Sequence, residues 1–175
     1  GTNLGSAPGY NVSTIMFTAA PVLTGGGGAA GTTTVSIIQG AFGSNSPSGT
    51  GTDMVTYNIN DNAFGLRLLN EGGFTGEYET SVLTVPNSNV KLSTSVAPGA
   101  GITINSLILA SGGAVATSAN TLTIASGNIL ALEGNGGING SSVLAFGATP
   151  GIIRAVGDLT ISSQITGSAG LTTGG

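Results

Sequence analysis

The chain has no cysteine and no histidine among its 175 residues. Those two absences remove the commonest general base, the usual nucleophile–base pairs, disulfides and every Cys/His metal site. Charge is scarce as well: 6% of residues are Asp, Glu, Lys or Arg, against roughly 25% in an ordinary soluble domain. The three basic residues, Arg67, Lys91 and Arg154, are scattered, whereas neutralising a phosphate backbone needs clustered cations, so nucleic acid is excluded as a partner. No apolar run approaches the ~20 residues that cross a bilayer as a helix, so no membrane span is expected in this segment. The opening GTNLGSAPGY has neither the charged start nor the apolar core of a secretory leader, and a processed chain or an excised fragment is the expectation.

What is present is glycine, 32 residues of it, set among Ser, Thr, Asn and short apolar runs. A flexible linker has that look, but 39% hydrophobic residues and a mean hydropathy of +0.38 are the opposite of a disordered composition. The runs Ile102–Ile104, 107–109, Leu122–Ile124 and 129–132 are cut by Gly, Ser, Ala and Asn. Each is too short for a helix, and each is followed by turn residues, which predicts many short strands. Ala, Leu, Glu and Lys nowhere gather at helical spacing for more than one turn, so little helix is expected.

Earlier in the chain, strands are expected over 10–17, 32–39 (TTTVSIIQ), 54–57, 66–69 and 81–85, with a turn at 58–62. Gly25, Gly26, Gly27 and Gly28 read as a flexible loop or hinge. No Lys-Ser/Thr and no helical pattern follow them, so a phosphate cradle is rejected. Residues 40–53, rich in Gly, Ser and Pro, read as a surface connection. Seven of the ten charged residues (Asp53, Asp61, Arg67, Glu71, Glu77, Glu79 and Lys91) fall within 53–91 together with Tyr57, Phe64, Phe74 and Tyr78. That section is expected to form a lateral lobe or a contact surface.

From residue 102 a longer period emerges. Leu107, Leu130 and Ile153 are 23 residues apart, as are Leu109, Leu132 and Ala155. A solenoid coil of two or three strands with their turns has about this length, and stacked coils bury one continuous apolar stripe. Leu122-Thr123-Ile124 and Leu159-Thr160-Ile161 alternate most cleanly, with Leu and Ile inward and Thr outward. The expected fold is all-β: a parallel β-helix or β-solenoid over 101–175, preceded by an irregular, more charged section over 1–100.

The run GDLTISSQITGSAGLTTGG at 157–175, with ITINSLIL and NTLTIASGNIL before it, resembles bacterial proteins that carry the autotransporter-associated β-strand repeat. In that family a DLTIS strand is followed by I-T-G-x-G-G-L and then by K-T-G-x-G-T-L-T-L. This chain follows the pattern to Leu171 and Thr172, has Thr173 where Lys is common, and ends at Gly175 before the second repeat. The resemblance extends over about 52–175. It implies a right-handed parallel β-helix, secreted and displayed at the bacterial cell surface, and it implies no catalytic residues.

Candidate chemistry is thin. Glu77 and Glu79, two apart, would share a face and could pair as glycosidase carboxylates, yet with no cation near them in sequence they read better as solvated charges. The same reading applies to Glu133, Arg154 and Asp158, expected at turns between coils. Asn58, Asn60, Asp61 and Asn62 offer calcium ligands with one carboxylate and no EF-hand spacing, so Asn-rich turn geometry explains them better. Thr121-Leu122-Thr123 has the local form of an ice-binding array, but the residues 23 further on, Leu144-Ala145-Phe146, do not repeat it. No catalytic, cofactor or metal residue is assigned. Leu159, Ile161, Ile165 and Leu171 are assigned as an assembly edge, because a solenoid coil left uncovered exposes strand edges and its apolar stripe. Self-association or continuation of the same chain is expected at that open solenoid end, with a host or matrix glycan or protein as a further partner. The leading reading is a structural surface protein; the alternatives are a carbohydrate-active β-helix enzyme and a phage tailspike or tail-fibre segment.

Overall fold

The computed structural model describes residues 4–5, 12–46, 49–60, 63–134, 136–141 and 143–175. Tyr10 and Asn11 of the first candidate strand, Pro47 and Ser48 of the connection, and Asp61 and Asn62 of the candidate calcium stretch lie outside the described residues, as does the side chain of Asn60. Among the described residues there are sixteen strands and no helix. In chain order these are β1 Phe42–Gly43, β2 Asp53–Asn60, β3 Ala63–Leu68, β4 Asn89–Leu92, β5 Ser95–Val96, β6 Ile102–Ile104, β7 Ser106–Leu109 and β8 Ala114–Ser118. They continue as β9 Leu122–Ile124, β10 Asn128–Ala131, β11 Gly136–Gly140, β12 Val143–Ala145, β13 Gly151–Ala155, β14 Leu159–Ile161, β15 Gln164–Thr166 and β16 Leu171–Gly174.

From β4 onward every third strand pairs in parallel with the one a coil earlier. The result is a β-solenoid of about four turns with three walls: β4-β7-β10-β13-β16, β5-β8-β11-β14 and β6-β9-β12-β15. The coil strands begin at Asn89, ahead of residue 101, where the sequence reading places the first coil. Val90, Leu92, Ile104, Leu107, Leu109, Val115, Leu122, Ile124, Ile129, Ile138 and Leu144 fill the interior and are completely buried. At ~1.5–3 kcal/mol for each large side chain taken from water, this column is the main source of stability.

The pairing corrects the 23-residue period. Leu107 aligns with Ile129, and Ile129 with Ile153, steps of 22 and 24 residues; Leu130 aligns with Ile108 and Arg154 instead. Because side chains alternate faces every residue, a shift of one moves a residue to the opposite side of the sheet. Leu130 accordingly points away from the interior. It joins Ile108, Val35, Ile37, Met54, Leu69 and Tyr78 in a second core. The β4, β7 and β10 strands of this wall are thus buried on both faces, by the solenoid lumen on one side and by the N-terminal section on the other.

That section is a lateral lobe built on the antiparallel sheet β1-β2-β3. The β2–β3 hairpin runs from Asp53 to Leu68, so strand geometry extends into the Asn-rich stretch expected to be a turn. Three expected strands do not form. Residues 12–17 and 32–39 make only isolated bridges at Ile15, Val35 and Ile37, and 81–85 form no strand. β-branched content favours a strand only where an edge is available for pairing. Here 32–39 lies across the outside of the solenoid wall, where its carbonyls take side-chain hydrogen bonds instead: Asn89 Nδ2 donates to Thr33 and Val35 carbonyls at 3.0 and 2.8 Å.

Candidate functional site

Any chemistry would be carried by the titratable and polar groups. Glu77 is not a solvated charge, as its sequence context suggested, but is completely buried against a buried Arg67. The guanidinium donates through Nη1 to Glu77 Oε2 and through Nη2 to Oε1, both at 2.6 Å, a two-pronged pair. Arg67 also donates to Asn58 Oδ1 and to the Leu68 carbonyl, and it stacks on the Phe74 ring at 4.3 Å. The amides of Gly31 and Asn70 donate to the carboxylate at 2.8 Å each. Burial pushes the Glu77 carboxyl up, but the Arg67 hydrogen bonds, these two amides and the guanidinium charge outweigh it and hold the group below its ordinary value. Every acceptor site is occupied from within the protein, so the pair locks the lobe and offers no free carboxylate.

Glu79 is also buried, and it faces other partners: the amide and hydroxyl of Thr84 and the hydroxyl of Ser88 at 2.8 Å. The two glutamates therefore serve separate networks and form no catalytic pair. Lys91, half-buried on β4, pairs with Asp53 at 2.6 Å. Glu133 and Asp158 are exposed beside strands, as expected. Arg154 is not at a turn but on β13, where it donates to the Thr50 carbonyl of the lobe. Asn58 Oδ1 is taken up by Arg67, and no group of three or more carboxylates suited to a metal occurs among the described residues. The aligned outward positions are Thr103, Thr123, Ala145 and Thr166. The true partner of Thr121-Leu122-Thr123 is Val143-Leu144-Ala145, and Ala145 breaks the hydroxyl column.

A polar seam that sequence reading missed ties the lobe to the coils. Asn89, Ser106 and Asn128 occupy the first position of successive strands in the two-faced wall. Asn105 Nδ2 and Ser106 Oγ each donate to Asn89 Oδ1 at 2.8 Å, while the Gly40 amide donates to Asn128 Oδ1 at 2.9 Å. Gln39 Nε2 reaches both the Ser126 and Pro150 carbonyls, one coil apart. The signal was present in the sequence as an Asn opening NVKL, NSLIL and NILAL.

The glycine run packs against this seam and is not a free loop. Gly27 N–H donates to Ser36 Oγ, which donates to the Gly25 carbonyl. Gly25 has φ 75°, and a Cβ there would fall on Asn105 Oδ1. Gly25→Ala is expected to lower stability by about 1–3 kcal/mol, from the left-handed backbone and the steric overlap together. Thermal melts of the variant beside Gly27→Ala, whose Cβ would meet nothing, separate the two costs.

The remaining surface of interest is the C-terminal rim of the coils. Leu159 and Ile161 on β14, Ile165 on β15 and Leu171 on β16 converge with Ile153 and Ala155 around one opening of about 270 Å³. Ile165 is 40% and Leu171 45% exposed, unusual for large apolar side chains in an inward column. Below them Leu171 aligns with Gly151 and Ile165 with Leu144. The rim is the lumen of the solenoid, open on one side. β14, β15 and β16 are each the outermost strand of their wall, and no residue from 159 to 175 is charged.

The other end is built differently. Glu79 bridges to Val90 below β4, its amide donating to the Asn89 carbonyl at 2.9 Å. The Asn87 amide donates to the Thr103 carbonyl of β6 at 2.8 Å. Between them Leu83, 5% exposed, closes the lumen. The buried Glu79 carboxylate, by holding Thr84 and Ser88, fixes this closing loop. No protein-family model, curated protein or solved structure matches the chain.

Proposed function

We propose that this chain is a structural protein of the bacterial cell surface or extracellular space, a stalk, adhesin or fibre component that works by stacking coils. In this reading it is not an enzyme and holds no cofactor. The next coil on the rim comes from the same chain or from a second copy. A host or matrix glycan or protein is met along the flanks. The observation that supports the reading best is the uncharged apolar column of Leu159, Ile161, Ile165 and Leu171, which continues the lumen through the last coil without a capping charge. Natural edges not meant for pairing are blunted with Lys, Pro or bulges, and β14–β16 carry no Lys and no Pro. The resemblance of 157–175 to autotransporter-associated repeats points the same way.

Appending a second copy of residues 132–155, which carry β11, β12 and β13, after Gly175 tests this, because those strands follow β16 in the order of the walls. The added coil is expected to fold onto the rim and to slow amide exchange in β14, β15 and β16 about tenfold or more. An appended coil that stays unprotected, with β14–β16 unchanged, would count against stacking. Release of reducing ends from polysaccharides by the purified chain would replace the structural reading with the carbohydrate-active one.

A further inference from the structure

We infer that a recess on the flank of the solenoid, between the lobe and the coils, is a binding site for one neutral sugar ring of a glycan. The inference rests on the reading above that a glycan is met along the flanks, and it gives that partner a place. The recess has a volume of about 330 Å³ and is lined by Thr50 and Thr52 of the lobe and by Ser111, Leu132, Glu133 and Val156 of the coils. Clefts between two packed units are favoured places for small ligands. Ser111, Leu132 and Val156 lie just past the ends of β7, β10 and β13. The site therefore runs along three successive coils on the side of the rod and uses neither end of it.

The walls are fixed before any ligand arrives. Leu132 and Val156 pack on the core shared by lobe and coils. The Leu132 amide donates to the Leu109 carbonyl and the Val156 amide to the Ala131 carbonyl, both at 2.8 Å. On the lobe side the Thr52 amide donates to the Gly43 carbonyl at 2.7 Å. Arg154, which faces the neighbouring recess with Phe42, holds the Thr50 carbonyl from behind.

Glu133 supplies the recognition. Asp53, Glu71, Glu77 and Glu79 are taken up by Lys91, Asn45, Arg67 and Ser88. The exposed Glu133 carboxylate, by contrast, has no hydrogen-bond or ion-pair partner among the described residues. An ionised carboxylate only accepts hydrogen bonds, and its two oxygens can each take one from adjacent hydroxyls of a sugar. The Thr50 and Ser111 hydroxyls, also without partners among the described residues, add donors and acceptors. Leu132 and Val156 offer apolar surface to the C–H face of the ring. The same carboxylate turns away uronic and sialic acids, because like charges brought together are costly. Glu133 is the one carboxylate lining the recess, so the site binds without the flanking pair that glycoside hydrolysis uses.

Titration of the isotope-labelled full chain with methyl α-mannoside, methyl β-galactoside and methyl β-glucoside, followed by amide chemical shifts, tests the inference. At least one sugar is expected to move residues 50–52, 111, 132–133 and 156 together and to saturate, while galacturonic acid leaves them unmoved. Glu133→Gln is expected to weaken that sugar about tenfold or more. Asp158→Asn, the same change of charge at an exposed residue outside the recess, should leave the affinity unchanged. Glu133 is exposed, so the melt of its variant should match the parent; if it does not, Ser111→Ala serves in its place. No movement with any of the sugars, or equal weakening by Glu133→Gln and Asp158→Asn, would overturn the site. Equal movement with lysine amide would assign the recess to a cation and overturn the sugar. None of these outcomes touches coil stacking, which the appended-coil experiment judges separately.

Discussion

Glu77→Ala is expected to lower the stability of the fold by about 3–5 kcal/mol, because it leaves the Arg67 guanidinium buried without its counter-charge. The side chains of both residues have no solvent exposure, so water cannot replace the lost carboxylate without opening the lobe. The Gly31 and Asn70 amides lose their acceptor at the same time. Arg67→Ala is expected to cost a similar amount. The double variant Arg67→Met/Glu77→Leu should cost less than either alanine variant, since removing both charges abolishes the desolvation penalty that a lone charge keeps. By contrast Lys91→Ala, at a pair that is partly exposed, should change stability by about 1 kcal/mol or less. Urea denaturation midpoints at neutral pH rank the four proteins.

The same pair sets an acid limit. Glu77 titrates below its ordinary value of 4.5 in the folded protein, so its unfolded form binds a proton first as pH falls. Its contribution is whole above the ordinary value and drains away as pH drops through the lowered folded value. Stability is therefore expected to be level from neutral pH to about 5 and to decline below that. Glu77→Gln, which cannot titrate, should be weaker at neutral pH and show a flatter acid limb.

Ile129→Ala and Leu130→Ala are the second pair of large effects, each about 2–5 kcal/mol because both side chains are completely buried. Their consequences should fall in different places. Ile129 lies between Leu107 and Ile153 in the lumen, so its loss should speed amide exchange in all three walls. Leu130 faces Met54, Tyr78, Val35 and Ile37, and its loss should speed exchange in the lobe over 32–59 while the other two walls keep their protection. A strict 23-residue coil would place Leu130 in the lumen and predict the reverse.

That contrast shows where sequence reading succeeded and where it stopped. The short-strand pattern was correct for Ile102–Ile104, Leu122–Ile124 and Leu159–Ile161, because an Ile or Leu, a Thr and an Ile in alternation record burial one residue at a time. The coil period was legible only on average. Aligned steps along the two-faced wall run 17 residues from Val90 to Leu107, 22 to Ile129, 24 to Ile153 and 20 to Thr173. Turns absorb the differences, and one residue of error is enough to change the face. β11, GGING, carries too little side chain to register as a strand, yet its position between β8 and β14 supplies the pairing. The SLIL and NILA strands are buried on both faces, so they show no alternation to read.

The polar contacts failed for a different reason. Glu77 has no cation beside it in sequence, but the chain turns back after β3 at Asn70 and brings Arg67 to 2.6 Å. Asn70 stands at φ 61°, a left-handed position that Asn tolerates, and its Oδ1 accepts the Glu77 amide. A partner ten residues away across that turn is a tertiary fact. The inward direction of Leu159 and Ile161 was legible because it needs only the strand period.

The seam of Asn89, Asn128, Gln39 and Arg154 has a mechanical meaning. Backbone hydrogen bonds between coils lie along the solenoid axis, so a pull on the two ends loads them in tension, shared among three walls. On one wall the lobe fastens to three successive coils, at Asn89, Asn105 and Asn128, and Gln39 straddles two coils through Ser126 and Pro150. The lobe thus acts as a splint on one side of a flexible rod. Under load the rod should bend with the splinted wall as its stiff side and part first between coils on the two unsplinted walls.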